Sequence, residues 1–270
     1  MQPNWFVVVW LVLLSCGGST VAPAPVPAPA PAPAPLAEQA PCDAGDLDAC
    51  VNLAVRYADG SGVAKDPARA VALLQRACTG NYSLGCSALG VVYERGIGVP
   101  KDINLAIAHY QKACTGNIFG ACGSLGSLYD EGESVPQDYN QATTYYVQAC
   151  DGGVVAYCNN LGRLYKYGRG VPKDLAKARA LFEHACDGKD LLSCNNLGVL
   201  YENGLGVAID YPKAKGLYET ACTGGELRGC HNLGVLYTDG HGVTADATIA
   251  RSWFKRACDG GLTESCDGAK

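Results

Sequence analysis

The stretch CNNLGRLYKYGRGVPKDLAKARALFEHAC, residues 158–186, contains the pattern that decides the fold. It recurs in register along the chain, because the flanking cysteines come in pairs eight residues apart and each pair follows the last by 36 residues. A fixed period of this length is typical of a repeat protein rather than of one globular core. The pairs are Cys42 with Cys50, Cys78 with Cys86, Cys114 with Cys122, Cys150 with Cys158, Cys186 with Cys194, Cys222 with Cys230, and Cys258 with Cys266.

The first half of each repeat predicts a helix, which in this stretch covers residues 158–167. Leu161, Gly162 and Tyr165 follow the opening cysteine by three, four and seven residues, so they share one helical face. Gly168 then predicts a left-handed stop, because glycine tolerates the positive φ that ends many helices.

The second half predicts another helix, capped by Asp174 and running through Ala178 to Cys186. Small residues are expected where the two helices cross closely, and Gly162, Ala178 and Ala185 supply them. Each repeat is therefore predicted to be a helical hairpin.

The hairpins are expected to stack, because no single hairpin can bury both of its own faces. The predicted fold class is all-α: an α-solenoid, a right-handed superhelix of about six 36-residue helix-turn-helix repeats over residues 37–270, with a truncated final repeat.

The cysteine count indicates an oxidising compartment, since fifteen cysteines in 270 residues would stay reduced in a cytosol. Each pair is predicted to form a disulfide across the turn between two repeats. The chain-entropy estimate for closing such a loop is about 2.6 kcal/mol per bridge. Structural zinc sites usually show C-x₂₋₄-C spacing, which is absent here, so no metal is expected.

The N-terminus predicts export. Residues 1–15 are expected to be a lipoprotein-type signal peptide, because the apolar run at 6–14 is too short to span a bilayer. The run ends in Leu13-Leu14-Ser15-Cys16, which resembles the lipobox of bacterial lipoproteins. That resemblance implies a lipid on Cys16, and setting Cys16 aside leaves an even number of cysteines to pair. A plain cleaved signal peptide, giving a secreted soluble protein, is the alternative.

Residues 16–36 are predicted to be the lipidated cysteine followed by a linker rich in proline and alanine. Alternating prolines favour an extended, polyproline-like spacer.

The repeat resembles a known family. The pattern L-G-x-x-Y-x-x-G-x-G-V-x-x-D-x-x-K-A, from Leu161 to Ala178, resembles the Sel-one-like repeat, a relative of the tetratricopeptide repeats. The added C-x₇-C resembles the cysteine-rich secreted branch of that family, the Hcp-like proteins. The resemblance covers residues 42–266 and departs at Glu133-Ser134, where other repeats have x-Gly. It implies a concave groove that binds a protein or peptide segment.

Catalysis is the alternative that the resemblance raises, because Hcp-like proteins are often labelled β-lactamases or penicillin-binding proteins. The S-x-x-K pattern occurs once, from Ser252 to Lys255, without S-D-N or K-T-G. No catalytic residue and no cofactor is predicted, and an enzyme is not favoured. The histidines occupy different repeat positions and form no metal or catalytic motif; they are His109, His184, His231 and His241.

The predicted binding surface lies at the second, fifth and ninth positions after each opening cysteine, opposite the core face. Asparagine occupies the second position in four repeats of six, and an amide can clasp both groups of a peptide unit. A tolerated polar residue on a solvated face is the alternative. Because these positions face away from the core, their replacement is expected to leave stability almost unchanged. The predicted ligand groove comprises Asn160, Arg163, Tyr167, Asn196, Asn203, Asn232 and Asp239.

The net charge of −5, without a local cluster of basic residues, disfavours nucleic acid as a partner. The sequence predicts an exported bacterial protein at the periplasmic or cell-surface face of a membrane, monomeric and held only by its lipid. Its expected partner is a protein or peptide, with a cell-wall peptide or a β-lactam as further candidates. A purely structural envelope spacer is the remaining alternative.

Overall fold

The computed structural model describes residues 37–270, which form a succession of α-helices. No strand occurs in this part of the chain, and the all-α prediction is confirmed. The helices are α1 (Gln39–Asp43), α2 (Leu47–Asp59), α3 (Pro67–Thr79), α4 (Ser83–Arg95), α5 (Ile103–Thr115), α6 (Phe119–Glu131), α7 (Tyr139–Asp151), α8 (Val155–Tyr167), α9 (Leu175–Asp187), α10 (Leu191–Asn203), α11 (Tyr211–Thr223), α12 (Leu227–Asp239) and α13 (Ala247–Asp259), followed by a 3₁₀ turn at Thr263–Ser265.

Helices α2 to α13 form six helix pairs, which are called units one to six. Each unit runs from the second cysteine of one pair to the first cysteine of the next, so unit four comprises α8 and α9. Each helix packs mainly against the helices before and after it in the sequence. This arrangement is the predicted solenoid of stacked hairpins.

The first helix of each unit begins earlier than the sequence predicts. In unit four it begins at Val155, three residues before Cys158, because the turn after α7 occupies only residues 152–154. Backbone hydrogen bonds close this turn, from Gly153 N to Cys150 O at 2.9 Å and from Val154 N to Ala149 O at 3.0 Å. Both cysteines therefore lie inside helices in every pair except the last, whose Cys266 follows the 3₁₀ turn.

The second helices begin at the aspartates that the repeat pattern contains. The Asp174 carboxylate accepts a hydrogen bond from Lys177 N at 2.9 Å, and Asp66 does the same for Arg69 N at 3.0 Å. A carboxylate at this position satisfies a backbone donor that has no partner within the helix. The first helices end at glycines in the left-handed conformation, such as Gly168 with φ 70°.

The two helices of a unit meet through a large residue on the second helix and a small one on the first. Phe182 is completely buried, and a Cβ atom on Gly162 would lie 2.7 Å from its ring. The same fit occurs at Gly198, whose Cβ would lie 2.6 Å from the Tyr218 ring. Unit one has the buried Ala54 and Leu74 at the repeat positions of Gly162 and Phe182. A larger residue on the first helix is thus accompanied by a smaller one on the second.

All seven cysteine pairs stand at bonding distance, with Cα–Cα separations between 4.6 Å and 4.9 Å. The five bridges between units link the last turn of one unit's second helix to the first helix of the next, while the first bridge joins α1 to α2 and the last joins α13 to the C-terminal turn. Cys150 and Cys158, for example, join α7 to α8. The bridges therefore fix the angle between successive units.

Unit three departs from the repeat in its loop but not in its helices. Gly132 keeps the left-handed conformation, with φ 70°, although Ser134 replaces the second glycine. The Gln137 amide donates a 2.6 Å hydrogen bond to Asp130 O and so holds the altered loop against the end of α6.

Among residues 37–270 no helix is long and apolar enough to cross a membrane. The predicted signal peptide at 1–15, the lipidated Cys16 and the linker at 16–36 lie outside the described residues. The domain boundaries accordingly stay predictions.

Candidate functional site

The predicted groove residues lie along the first helices of units four to six, on α8, α10 and α12. The residues at the second position are half-buried, and those at the ninth position are exposed. Tyr167 is the most open of the apolar residues in this row, with 56% of its surface exposed. The row is accessible to a ligand and offers alternating amide, apolar and charged groups.

The asparagines of this row are joined from unit to unit. Asn196 Nδ2 donates to Asn159 Oδ1 across 2.8 Å, and Asn232 Nδ2 donates to Asn195 Oδ1 across 2.8 Å. The two acceptors sit one position before the row and are only 2% and 4% exposed, respectively. These bonds form a ladder, which comprises Asn159, Asn195, Asn196 and Asn232 and ties α8 to α10 and α10 to α12.

The ladder argues against the expectation that replacing the groove asparagines leaves stability almost unchanged. Asn159 and Asn195 are buried, so their side-chain oxygens need a donor, and Asn196 and Asn232 provide it. A buried acceptor that loses its donor costs about 1–3 kcal/mol. The sequence reasoning missed this because the partners are 37 residues apart and belong to different units.

The ladder also fixes how the amides face the groove. With one N–H of Asn196 bound to Asn159, its Oδ1 and its second N–H remain for a ligand in a held orientation. Asn203 differs, because its amide donates to Val199 O of its own helix at 3.0 Å. One amide N–H of Asn203 is therefore engaged within its own helix, unlike the amides of Asn196 and Asn232, which bond to the neighbouring unit.

Unit four presents positive charge beside the row. Lys166 Nζ lies 5.3 Å from the centre of the Tyr167 ring, and the Arg169 guanidinium lies 5.4 Å from it. Arg163 is exposed on the same helix. Cations at this distance from an aromatic face interact favourably with it and so hold the exposed ring in place.

Unit three presents negative charge at the corresponding place. Burial raises the pKa of Glu131, and the neighbouring carboxylates of Glu133, Asp130 and Glu94 raise it further. The row thus changes sign between unit three and unit four, which would orient an extended ligand with one charged end.

A cavity of about 660 Å³ lies at the far end of the row, between α12 and α13. Val235 and Asp239 line it from the first helix, and Phe254 and Arg251 line it from the second. The predicted groove residue Asp239 therefore borders an open cavity whose lining includes the apolar Val235 and Phe254.

A set of buried tyrosines was missed by sequence reasoning. Tyr110 and Tyr218 donate hydrogen bonds to Glu94 at 2.5 Å and to Glu202 at 2.6 Å. Burial, followed by these hydrogen bonds, raises the pKa of both phenols. Comparison of the repeats could have found these pairs. An acidic residue lies eight positions after the opening cysteine only in the three units whose second helix carries the buried tyrosine.

Units with phenylalanine or leucine in place of the tyrosine carry a non-acidic residue there. Unit four has Phe182 and Lys166 at these two repeat positions, and unit six has Phe254 and Thr238. These acids therefore serve packing within a unit and are not free for catalysis.

The S-x-x-K residues do not form a catalytic pair. Ser252 donates to Ile249 O at 2.6 Å, and Lys255 Nζ lies 2.8 Å from Asp259 Oδ2. The lysine that would activate the serine is thus engaged by a carboxylate on the following turn.

The histidines are spread over the described solenoid. His109 stacks on Tyr93 at 5.4 Å, and its pKa is lowered by burial and then by Lys112. His241 stacks on Tyr211 at 4.7 Å, and His231 lies 2.9 Å from the Ser265 hydroxyl. No group of three or more metal-ligating side chains occurs within residues 37–270.

The fold defines a helical-repeat solenoid of stacked hairpins. The profile of the Sel1 repeat matches six segments, at residues 47–82, 83–117, 121–154, 155–190, 191–226 and 227–262. The chain belongs to the Sel1 repeat family.

Solved structures agree with this assignment. A Sel1 repeat protein from Oxalobacter formigenes is 31% identical, with a TM-score of 0.72, over 81% of this chain and 90% of that one. A protective antigen of uropathogenic Escherichia coli strains, described as displaying an SLR fold, is 27% identical with a TM-score of 0.76. The match covers 83% of this chain but only 48% of the antigen, so this chain spans about half its length.

Helicobacter pylori cysteine rich protein B is 31% identical over 51% of this chain and 99% of its own, with a TM-score of 0.40. That likeness does not place the chain in the cysteine-rich branch. The comparison with curated proteins finds no match.

Proposed function

We propose that this protein is an exported, membrane-tethered scaffold that holds an extended peptide or protein segment along units four to six. Sel1-repeat proteins are generally protein-interaction scaffolds. The proposal adds the place of binding, the mode of binding and the tether.

The observation that carries the proposal is the held orientation of the groove amides. Asn196 and Asn232 are fixed by Asn159 and Asn195, so binding a ligand costs little side-chain entropy at these positions. A fixed amide presents a donor and an acceptor to successive peptide units of an extended chain. Tyr167 and the cations beside it would hold an acidic or aromatic side chain of the same ligand.

The tether is proposed from the N-terminal pattern and from the disulfides. Seven disulfides indicate an oxidising, exported location. Lipidation of Cys16, followed by a proline-rich spacer, would place the solenoid near a membrane surface while leaving the row free.

Site-specific cross-linking tests the place of binding. A photoreactive residue at Val199, between the asparagines of unit five, should cross-link to the partner in intact cells. The same residue at Lys255, exposed on α13, is the control and should give no cross-link to that partner. Cross-linking from Lys255 but not from Val199 would place the binding surface elsewhere.

A further inference from the structure

In units one, two and six, a long basic side chain two residues before the closing cysteine reaches back to the helix end that precedes the unit. Arg76 Nη2 donates to Asp43 O at 3.3 Å, Lys112 Nζ donates to Cys78 O at 2.8 Å, and Arg256 Nη2 donates to Cys222 O at 3.3 Å. The acceptors are carbonyls at the C-terminal ends of helices or just beyond them. A cation there satisfies a carbonyl and complements the negative end of the helix dipole.

Unit one shows the complete arrangement. Arg76 contacts the Cys42 sulfur, at 3.9 Å from Nη1, and the Asp43 carboxylate, at 4.0 Å from Nη1. Unit one also carries Leu53, Tyr57 and Leu73, and the same residue types recur at the matching repeat positions of unit four.

Unit four repeats this arrangement three repeats later, with the same residues except at the position of the arginine. Its Cys150, Asp151, Leu161, Tyr165 and Leu181 are the counterparts of the unit-one residues, whereas His184 takes the place of Arg76. A histidine side chain is shorter than an arginine side chain. Within the described residues, no hydrogen bond joins His184 to the carbonyl end of α7.

A cavity of about 600 Å³ opens where the arginine is missing, and these residues line it together with Lys177. Leu161 is almost completely buried at 4% exposure and forms an apolar floor. Asp151 is exposed at the rim beside the end of α7. An open apolar depression that leads to a carboxylate and to a backbone carbonyl matches the stem and the head of an arginine.

We propose that this cavity binds an arginine side chain of a partner protein, with the guanidinium placed as Arg76 is placed in unit one. The guanidinium would donate to Asp151 O and to the Asp151 carboxylate, and the methylene stem would lie on Leu161 and Leu181. A planar guanidinium can serve two acceptors at once, which a lysine ammonium does with less geometric fit.

Lys177 does not exclude a second cation. Its Nζ lies 5.1 Å from the centre of the Tyr165 ring. In unit one the guanidinium of Arg69 lies 4.8 Å from the Tyr57 ring while Arg76 occupies its own place. The two cations coexist there, so the same arrangement is available in unit four.

This arginine pocket is separate from the amide row, because none of its lining residues belongs to the row: they lie on the end of α7 and the turn after it, on the core-facing positions 161 and 165 of α8, and on α9. A variant that abolishes binding to the arginine pocket therefore still allows binding to the amide row to be tested, and the reverse also holds. A partner could use both surfaces at once and gain from the linkage.

The test uses N-acetyl-arginine amide as the probe and the Leu161 and Leu181 methyl signals as the readout in an NMR titration. A ligand of this size is expected to bind with a dissociation constant of about 1 mM. The citrulline analogue, which has the same shape without the charge, should bind at least about tenfold more weakly. Equal shifts with both ligands, or no shifts with the arginine probe, would overturn the proposal.

Variants separate the pocket from general charge effects. His184→Arg should fill the cavity with the protein's own side chain and abolish the shifts. Ser252→Arg, at an exposed position of α13, adds the same charge outside the pocket and should leave binding unchanged. If His184→Arg binds as the unaltered protein does, the site is wrong.

A gain-of-site variant guards against misfolding as an explanation. Arg76→His should open the equivalent cavity in unit one and produce new shifts at Leu53 and Leu73, so that two probe molecules bind per chain. Retention of a single site in a folded Arg76→His variant would show that the unit-one arrangement does not describe the pocket.

Discussion

Asn196 donates its side-chain amide to Asn159 across 2.8 Å, between the first helices of units five and four. The bond satisfies a buried oxygen and orients a groove amide with one contact. Stability and binding are therefore coupled at this position, and the coupling gives the first prediction.

Replacing Asn196 with alanine should lower the free energy of unfolding by about 1–3 kcal/mol, because Asn159 Oδ1 stays buried without a donor. Asn203→Ala is the matched control, since its amide bonds only to its own helix and is exposed; its effect should stay within about 0.5 kcal/mol. Urea denaturation of both variants measures the difference. Equal stabilities would mean that the ladder contributes nothing.

Replacing Gly162 with alanine should destabilise the protein by about 1–3 kcal/mol, because the new methyl group would lie 2.7 Å from the ring of the fully buried Phe182. The double variant Gly162→Ala with Phe182→Leu should recover part of the loss, since unit one packs Ala54 against Leu74. A double-mutant cycle from denaturation curves tests the coupling. Strict additivity of the two changes would argue against direct packing.

The buried tyrosines predict a loss of stability at alkaline pH. Burial raises the pKa of Tyr218 above that of an unfolded tyrosine, and the bond to Glu202 raises it further. The resulting stabilisation is complete below the unfolded pKa of about 10 and is lost as pH rises toward the folded value. The urea midpoint of the protein should therefore fall as the pH is raised above about 10.

The variant Tyr218→Phe identifies the tyrosine as one source of this loss. It should be less stable at neutral pH by about 1 kcal/mol, since Glu202 loses a donor, and its midpoint should fall less steeply with pH. Tyr237→Phe, in which a half-buried tyrosine is changed, serves as the comparison. An unchanged pH slope in Tyr218→Phe would exclude this phenol as a contributor.

The proposed lipid on Cys16 predicts that Cys16→Ala releases the protein from the membrane fraction. The fold of the solenoid should be unchanged, because the seven disulfides and helices α1 to α13 lie within residues 37–270, away from Cys16. Fractionation and immunoblotting measure the release, and a change of Ser15 to glycine, which keeps a small residue there, is the control. Continued membrane association of Cys16→Ala would assign the tether to another feature.

Ser252 should have no role in β-lactam hydrolysis. Its hydroxyl donates to Ile249 O, and Lys255 is held by Asp259. We expect no nitrocefin turnover by the oxidised protein beyond that of Ser252→Ala. Hydrolysis that disappears in Ser252→Ala would favour the enzyme over the scaffold.

The repeat pattern predicted the fold because one unit, seen six times, contains both helices, the glycine stop and the aspartate cap. Helix starts were misplaced by three residues, since the cysteine that marks the register is not where the backbone turns; the turn ends at residue 154, before Val155. The sequence pattern therefore predicts the structure within a unit well and the contacts between units poorly.

The parts of the site that escaped prediction depend on contacts between units. The pairing of Asn232 with Asn195 joins residues from different repeats, and no pattern within one repeat shows it. The cavity beside His184 depends on the length of one side chain compared with that of Arg76 in another unit. Once the structure shows how the units pack, both the asparagine ladder and the cavity can be recognised by aligning the repeats with one another.

The disulfide rings have a consequence for proteolysis. The turn at residues 152–154 lies between Cys150 and Cys158, so a protease that cuts there leaves both fragments covalently joined. The loop between Gly168 and Asp174 lies outside any ring, and a cut there separates the chain once packing is lost. In a protease-rich environment the bridged turns can be nicked without loss of the chain, whereas survival at the long loops depends on the packing of the helices on either side.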